Sequence, residues 1–278
     1  MNDALTVSFS MNPYLFGGVI LMVFWLITLV LVRRRKKEGD LREFWWASWT
    51  CCLLGITEPL YVPEYWSPPS ILRFYRWDVE SFIFCFAIGG VAAVLTELPT
   101  VKKLAVAADR ALWDIFGRVI LRIKRAYGAE ADEKSMPRVV LGRVFPESGQ
   151  LQKEQHELDN IILVAFFLAM FGTTAQLNLN IIYDGAIVCL STAGFIWWRR
   201  PGLRWQIVGG ALSFTLLYAA VLKAVVAVYP DFFSYWNQSQ LTHIFIAKAP
   251  LEEYVFAFTF GALWAPLYEA WKRGRRAK

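Results

Sequence analysis

The chain has only two histidines, His156 and His243, which excludes a metal centre built from several imidazoles. Its four cysteines form no framework either. Cys51 and Cys52 are neighbours, while Cys85 and Cys189 stand alone in separate apolar runs, so all four read as packing residues instead of zinc ligands or disulfide partners. No G-x-G-x-x-G follows a strand-like run, so no bound nucleotide and no other cofactor is expected. Charge is scarce as well: 19% of the residues are Asp, Glu, Lys or Arg, against 56% hydrophobic and 16% aromatic. That balance exceeds what one soluble core needs and indicates an integral membrane protein. A cleavable leader is not expected, because "MNDALTVSFSMNPYLF" lacks a basic start and the first apolar run is long enough to remain as an anchor.

What the sequence does have is a series of apolar runs near the roughly 20 residues that a spanning helix needs. Seven are expected, at 14–32, 44–60, 78–98, 160–179, 182–198, 205–228, and 244 or 250 to 271. The fold class is therefore an all-α polytopic membrane protein. With seven spans, "RRRKK" (33–37), the basic stretch of 102–128, "RRPGLR" (199–204) and "KRGRRAK" (272–278) all fall on one side. By the positive-inside rule that side is cytoplasmic, which puts the amino terminus outside the cell membrane and the carboxyl terminus inside. The formal net charge of +6 then faces anionic lipid heads, and no nucleic-acid surface is indicated.

Two of these runs align without gaps. "DVESFIFCFAIGGVAAVLTE" (78–97) over "PLEEYVFAFTFGALWAPLYE" (250–269) matches Glu80 with Glu252, Phe84 with Phe256, Phe86 with Phe258, Gly89 with Gly261, Leu95 with Leu267 and Glu97 with Glu269. Upstream, the aromatic loop "YVPEYW" (61–66) corresponds to "YPDFFSYW" (229–236), and "RRRKK" to "RRPGLR". Three spans, a spacer and three more spans make two parallel units, since one extra crossing restores the direction of the first. The division expected is a first three-helix unit at 1–98, a cytoplasmic segment at 99–159, a spacer helix at 160–181 and a second unit with a basic tail at 182–278. Within the cytoplasmic segment, Leu104, Ala108, Leu112, Ile115, Val119 and Arg122 recur every three or four residues among Lys and Arg, the pattern of a basic amphipathic helix lying on the inner face.

A carboxylate inside a membrane costs about 2.5 to 3.5 kcal/mol unless a partner or water relieves it, so acidic residues in and beside the spans are the candidates for chemistry. Glu97 and Glu269 sit at inner ends beside lysines, where ion pairing accounts for them. Glu58, Asp78, Glu80, Glu252 and Glu253 gather at outer ends. Capping explains part of this, because Pro250 suits a first helical position, Asp78 suits a cap, and Lys248 is placed to pair with Glu252. Acid catalysis is the other reading: a desolvated carboxyl keeps its proton and can donate it to a weak base. Trp66, Trp77, Phe82, Phe84, Tyr235, Trp236, Tyr254 and Phe256 would supply aromatic faces able to stabilise a cation, although an interfacial belt also accounts for the tryptophans.

The "PLEE" helix start, its "DVESFIF" counterpart and the duplicated three-span layout resemble the membrane-integral, flavin-independent lycopene cyclases of the heterodimeric or fused type. The resemblance covers roughly 14–98 and 182–271, and the first unit departs from it in having Asp78-Val-Glu80 where the second has proline and paired glutamates. It implies an isomerase of carotenoid biosynthesis. A proton adds to the terminal double bond of an acyclic, lipid-soluble polyene, the next double bond attacks the cation, and loss of a ring proton leaves a cyclic end without net redox change. Glu252 or Glu253 would be the donor, Glu80 with Asp78 acceptor or stabiliser, and the eight aromatic residues above the substrate pocket. Homo- or hetero-oligomers are compatible with this reading. So is a non-catalytic lipid or carotenoid binder or transporter of the same fold. A retinal-binding receptor would need Lys248 in mid-span, and the sequence places it before a proline near the outer end.

Overall fold

The computed structural model describes residues 12–71, 73–74, 77–126, 153–176 and 179–272; the "KRGRRAK" tail beyond 272 and the loop at 127–152 lie outside them. The chain is mostly helical. Helix α1 is Pro13–Arg34, α2 Glu38–Cys52, α3 Val79–Leu95, α4 Pro99–Ala126, α5 Lys153–Thr174, α6 Ile181–Arg199, α7 Arg204–Val228 and α8 Leu251–Trp271. Three stretches, Pro13–Arg34, Ile181–Arg199 and Pro201–Val228, are long and apolar enough to cross a membrane. The pair Val79–Leu95 and Pro99–Val119, bent by 70°, makes a fourth if it counts as one span.

The shortfall from seven has a physical reason. Span two of the sequence is divided into the 15-residue α2 and a 3-10 segment, Leu53–Leu60, that contains Pro59. Helix α8 is long enough but carries glutamates, tyrosines and tryptophans, and it does not need a greasy exterior: Thr259 through Pro266 are all buried by neighbouring helices. Ala87 through Thr96 of α3 are likewise buried. These two are the central helices. Helix α3 packs on α1 and α2, α8 packs on α6 and α7, and α3 touches α8 directly.

Corresponding residues make corresponding contacts on the two sides. Asn12 accepts from the Tyr14 N–H at 2.8 Å and caps α1, while Asn180 accepts from the Ile182 N–H at 2.9 Å and caps α6. Each amide also donates to a carbonyl of the loop before the third helix, Pro69 in one case and Gln240 in the other. Each loop closes in a short antiparallel hairpin, β1 (Arg73–Phe74) with β2 (Trp77–Asp78) and β3 (Phe245–Ile246) with β4 (Ala249–Pro250). The β3–β4 turn is Ala247–Lys248, both at positive φ (49° and 72°), the backbone of a primed two-residue turn. Lys248 is therefore exposed at a hairpin tip, and the ion pairs of the described residues do not join it to Glu252.

The loops that precede α3 and α8 also pair with each other. Trp66 bridges Trp236, the Ser67 N–H donates to the Tyr235 carbonyl at 2.9 Å, and the Asn237 N–H donates to the Tyr65 carbonyl at 2.8 Å. Near the carboxyl ends of α3 and α8 Arg35 donates to the Glu97 carbonyl and Arg200 to the Glu269 carbonyl, and Lys102 and Lys272 pair with those glutamates at 3.3 and 2.9 Å. The Lys272 ammonium, just past α8, has its pKa pushed up by that hydrogen bond.

Glycine permits the closest helix approaches. A Cβ on Gly89 would lie 2.6 Å from the Ala47 carbonyl oxygen and 2.3 Å from Cys51 Cβ, which brings α3 against α2. A Cβ on Gly261 would lie 2.4 Å from the Gly210 carbonyl oxygen, which brings α8 against α7. Backbone atoms cannot swing aside, so Gly261→Val is expected to cost about 3 kcal/mol, the upper end for overpacking. Thermal inactivation in detergent checks this, with Gly172→Ala, where nothing lies near a new Cβ, as a control that leaves the midpoint in place.

Candidate functional site

Glu252 and Glu253 enter the first turn of α8 just after the β3–β4 hairpin. Both are buried, Glu252 with 0% of its surface exposed. Consecutive helical residues point about 100° apart, and the two carboxylates accordingly have different partners. Glu253 faces the junction of the two halves. Its Oε1 accepts from the Tyr65 hydroxyl at 3.1 Å and the Trp236 indole N–H at 2.9 Å, and its Oε2 accepts from the Tyr218 hydroxyl at 2.9 Å. Each half of the chain contributes, Tyr65 from the first outer loop, Trp236 from the second and Tyr218 from α7. Tyr65 lies in the loop, where burial first and then Glu253 push its phenol well above the ordinary tyrosine pKa, so it stays a donor.

Glu252 is held from one side only. Its Oε1 accepts from the Thr242 backbone N–H at 2.6 Å and the Tyr183 hydroxyl at 3.3 Å. Its Oε2 is buried without a hydrogen-bond partner among the described residues. A backbone N–H can only donate, so Oε1 accepts, and Oε2 is the oxygen without a donor among the described residues.

The acidic residues of the first unit are arranged otherwise. Glu80, aligned with Glu252, accepts from the Ile71 N–H at 2.7 Å and the Ser70 hydroxyl at 2.9 Å, so both of its oxygens hold the loop before α3. Asp78 donates its backbone N–H to Glu58 at 2.5 Å, and the Ser81 hydroxyl bonds the other Glu58 oxygen. Ser81 continues to the Tyr14 hydroxyl at 2.7 Å.

Among the aromatic candidates, Trp236 and Trp66 meet with ring centres 5.3 Å apart beside Glu253, and Trp66 packs edge-on to Tyr14 at 4.7 Å. Phe84 and Phe256 flank Tyr218 at 6.3 and 5.7 Å, and a ladder runs inward through Phe256, Phe260 and Trp264 at 5.6 and 5.1 Å. Tyr235 packs against the same core. Three candidates lie elsewhere: the Trp77 indole donates to the Ile56 carbonyl, Phe82 packs over Gly55, and the Tyr254 hydroxyl donates to the Ile246 carbonyl and braces the hairpin. An open groove of about 770 Å³ runs along α2, lined by Glu38, Leu41, Arg42, Trp45, Trp46, Trp49 and Thr50. None of the expected site residues lines it.

Tyr65, Tyr183, Tyr218 and Ser81 were not among the sequence candidates. One signal was available: a buried phenol needs a partner for its hydroxyl, and Tyr218 is a lone phenol in the apolar run of α7.

Removing the indole donor leaves a buried carboxylate oxygen short of one bond, and Trp236→Phe is expected to destabilise the protein by about 1 to 3 kcal/mol. Combined with Glu253→Gln in a double-mutant cycle it should show a coupling of about 1 kcal/mol. Simple additivity in detergent unfolding would mean that this bond carries no stability.

Residues 180–271, from the Asn180 cap to the end of α8, match the family model described as lycopene cyclase. No curated protein and no solved structure matches the chain. The match supports a carotenoid-cyclase-like function in general terms, and the several apolar helices are compatible with a membrane protein that takes a lipid-soluble substrate.

Proposed function

We propose, from the lycopene cyclase domain carried by residues 180–271, that the chain cyclises an end of an acyclic carotenoid or related polyprenoid by proton-initiated isomerisation. The observation that carries this reading is the buried, unpartnered Oε2 of Glu252 beside a Glu253 held by three donors. Glu252 is the acid. Its Oε1 is committed to the Thr242 N–H, so the proton resides on Oε2 and passes to the terminal double bond of the substrate. The adjacent double bond closes the ring onto the tertiary cation.

Glu253 is the counter-charge and base. Tyr65, Tyr218 and Trp236 present hydrogens to it, so both of its oxygens are set to accept. It faces the developing cation electrostatically and accepts the ring proton. Glu252 is then the carboxylate and Glu253 the acid, and transfer between these neighbours restores the starting state without net gain or loss of protons or electrons. The faces of Phe84, Phe256 and Phe260 add cation–π stabilisation. Glu80, with both oxygens holding the loop, is a strut on this reading, and the Glu58–Asp78 pair fixes the start of α3.

The reading includes two parallel three-helix units in seven spans, with the amino terminus outside and the carboxyl terminus in the cytoplasm. The paired caps, hairpins and glycines and the reciprocal Trp66–Trp236 bridge favour the repeat, and the clustered basic loops favour the orientation. A second reading, binding of a polyene without conversion, is favoured by the tryptophan-lined groove on α2.

Expression in a bacterial host that accumulates lycopene, with chromatography of the pigments, separates the two. A cyclic product is expected. Glu252→Gln should lower its rate at least about 100-fold, the low end for loss of a general acid, and Glu253→Gln by about 100- to 1,000-fold. Glu80→Gln should keep the rate within about threefold, because a strut acts only through the loop. Unchanged lycopene with well-inserted wild type would favour the binding reading.

A further inference from the structure

Helix α4 begins at Pro99 and leaves α3 at 70°, so it runs across the end of the bundle instead of continuing along it. One side packs on α7. Ala105 sits against Gly209, where a Cβ would lie 2.4 Å away, the Lys102 ammonium lies 4.5 Å over the Trp205 ring, and the Arg204 guanidinium lies 4.7 Å over the Trp113 ring.

Leu104, Leu112, Ile115, Phe116 and Val119 are all exposed, Leu104 by 66%. At 100° per residue they fall in about one third of the helix circumference. Arg118 and Arg122 are exposed too; at the same 100° per residue Arg122 falls in line with Leu104 at one edge of the stripe and Arg118 about 40° beyond that edge. Water would leave the stripe wet, and a neutral protein surface would leave the cations without partners. A surface with acyl chains beneath phosphate groups satisfies both at once.

We infer that α4 is a docking surface for anionic phospholipid, with phosphate headgroups held by Arg118 and Arg122 and acyl chains covering Leu112, Ile115 and Phe116. The leaflet is the one at the inner end of α3, where Glu97 pairs with Lys102. Headgroup charge therefore sets how firmly α4 is held, and through Gln206, which donates to Glu97 at 3.2 Å, the docked helix braces the inner ends of α3 and α7. The inference does not require the cyclase reading.

Hydrogen exchange of residues 99–119 tests it on the full chain in lipid nanodiscs. One set contains phosphatidylcholine alone and the other equal parts phosphatidylcholine and phosphatidylglycerol. Exchange is expected to be at least about fivefold slower in the anionic discs at low salt, with the difference shrinking in high salt. The Arg118→Gln, Arg122→Gln double variant should lose the difference. Should it insert poorly, Arg118→Gln alone, a single exposed change, should lose a measurable part. Equal exchange in the two lipids would overturn the proposal. Protection that is independent of headgroup and disappears when the protein is diluted into excess discs would also overturn it, by assigning the stripe to a second copy of the chain.

Discussion

The structure depends on how it accommodates carboxylates where water is scarce. A buried carboxylate is tolerated only when donors converge on it, and Glu253 obtains three, from Tyr65, Tyr218 and Trp236. Those donors come from two loops and a helix that are far apart in the chain. Bringing them to one point fixes the outer loops against each other and seats α7 beside α8. Much of the outer architecture, including the reciprocal bridge between Trp66 and Trp236, can be read as the framework this one side chain requires.

The same constraint separates residues that sequence alone treats as equivalents. Glu80 and Glu252 align, and each accepts a backbone N–H from the preceding loop at 2.7 and 2.6 Å. Ser70 satisfies the second oxygen of Glu80, whereas Glu252 Oε2 is left without a partner. Next to them, Ser81 occupies the position that Glu253 takes in the other half. In the account proposed here, one copy keeps the structural role and the other carries the chemistry. The glycines that permit close packing, Gly89 and Gly261, are common to both.

The helical character of the fold was legible because apolar length acts at the scale of whole helices. The gapless alignment of 78–97 with 250–269 singled out the two helices that prove central, and the three-to-four spacing from Leu104 to Val119 identified α4. Less legible was how span two divides at Leu53, since a 3-10 continuation is set by tertiary contacts and not by hydropathy. Glu252 and Glu253 stood out because charge in an apolar run is costly. The tyrosines around them did not, because a hydroxyl on an aromatic ring raises no alarm in a membrane sequence until its partner is placed. Trp77, Phe82 and Tyr254 are close to candidate carboxylates in sequence, but strand β2 sets Trp77 against Ile56, and the helical turn sets Phe82 over Gly55 and Tyr254 against Ile246.

The central claim is that a proton from Glu252 starts the reaction and that no redox step occurs. Its most direct test is a single turnover, with protein in excess over an acyclic polyene and the protein equilibrated beforehand in deuterium oxide, followed by mass spectrometry of the pigment. The account predicts a cyclic product that carries one deuterium per ring formed and is otherwise isomeric with the substrate. A cyclic product without deuterium, or one whose mass differs by a hydrogen pair, would contradict it.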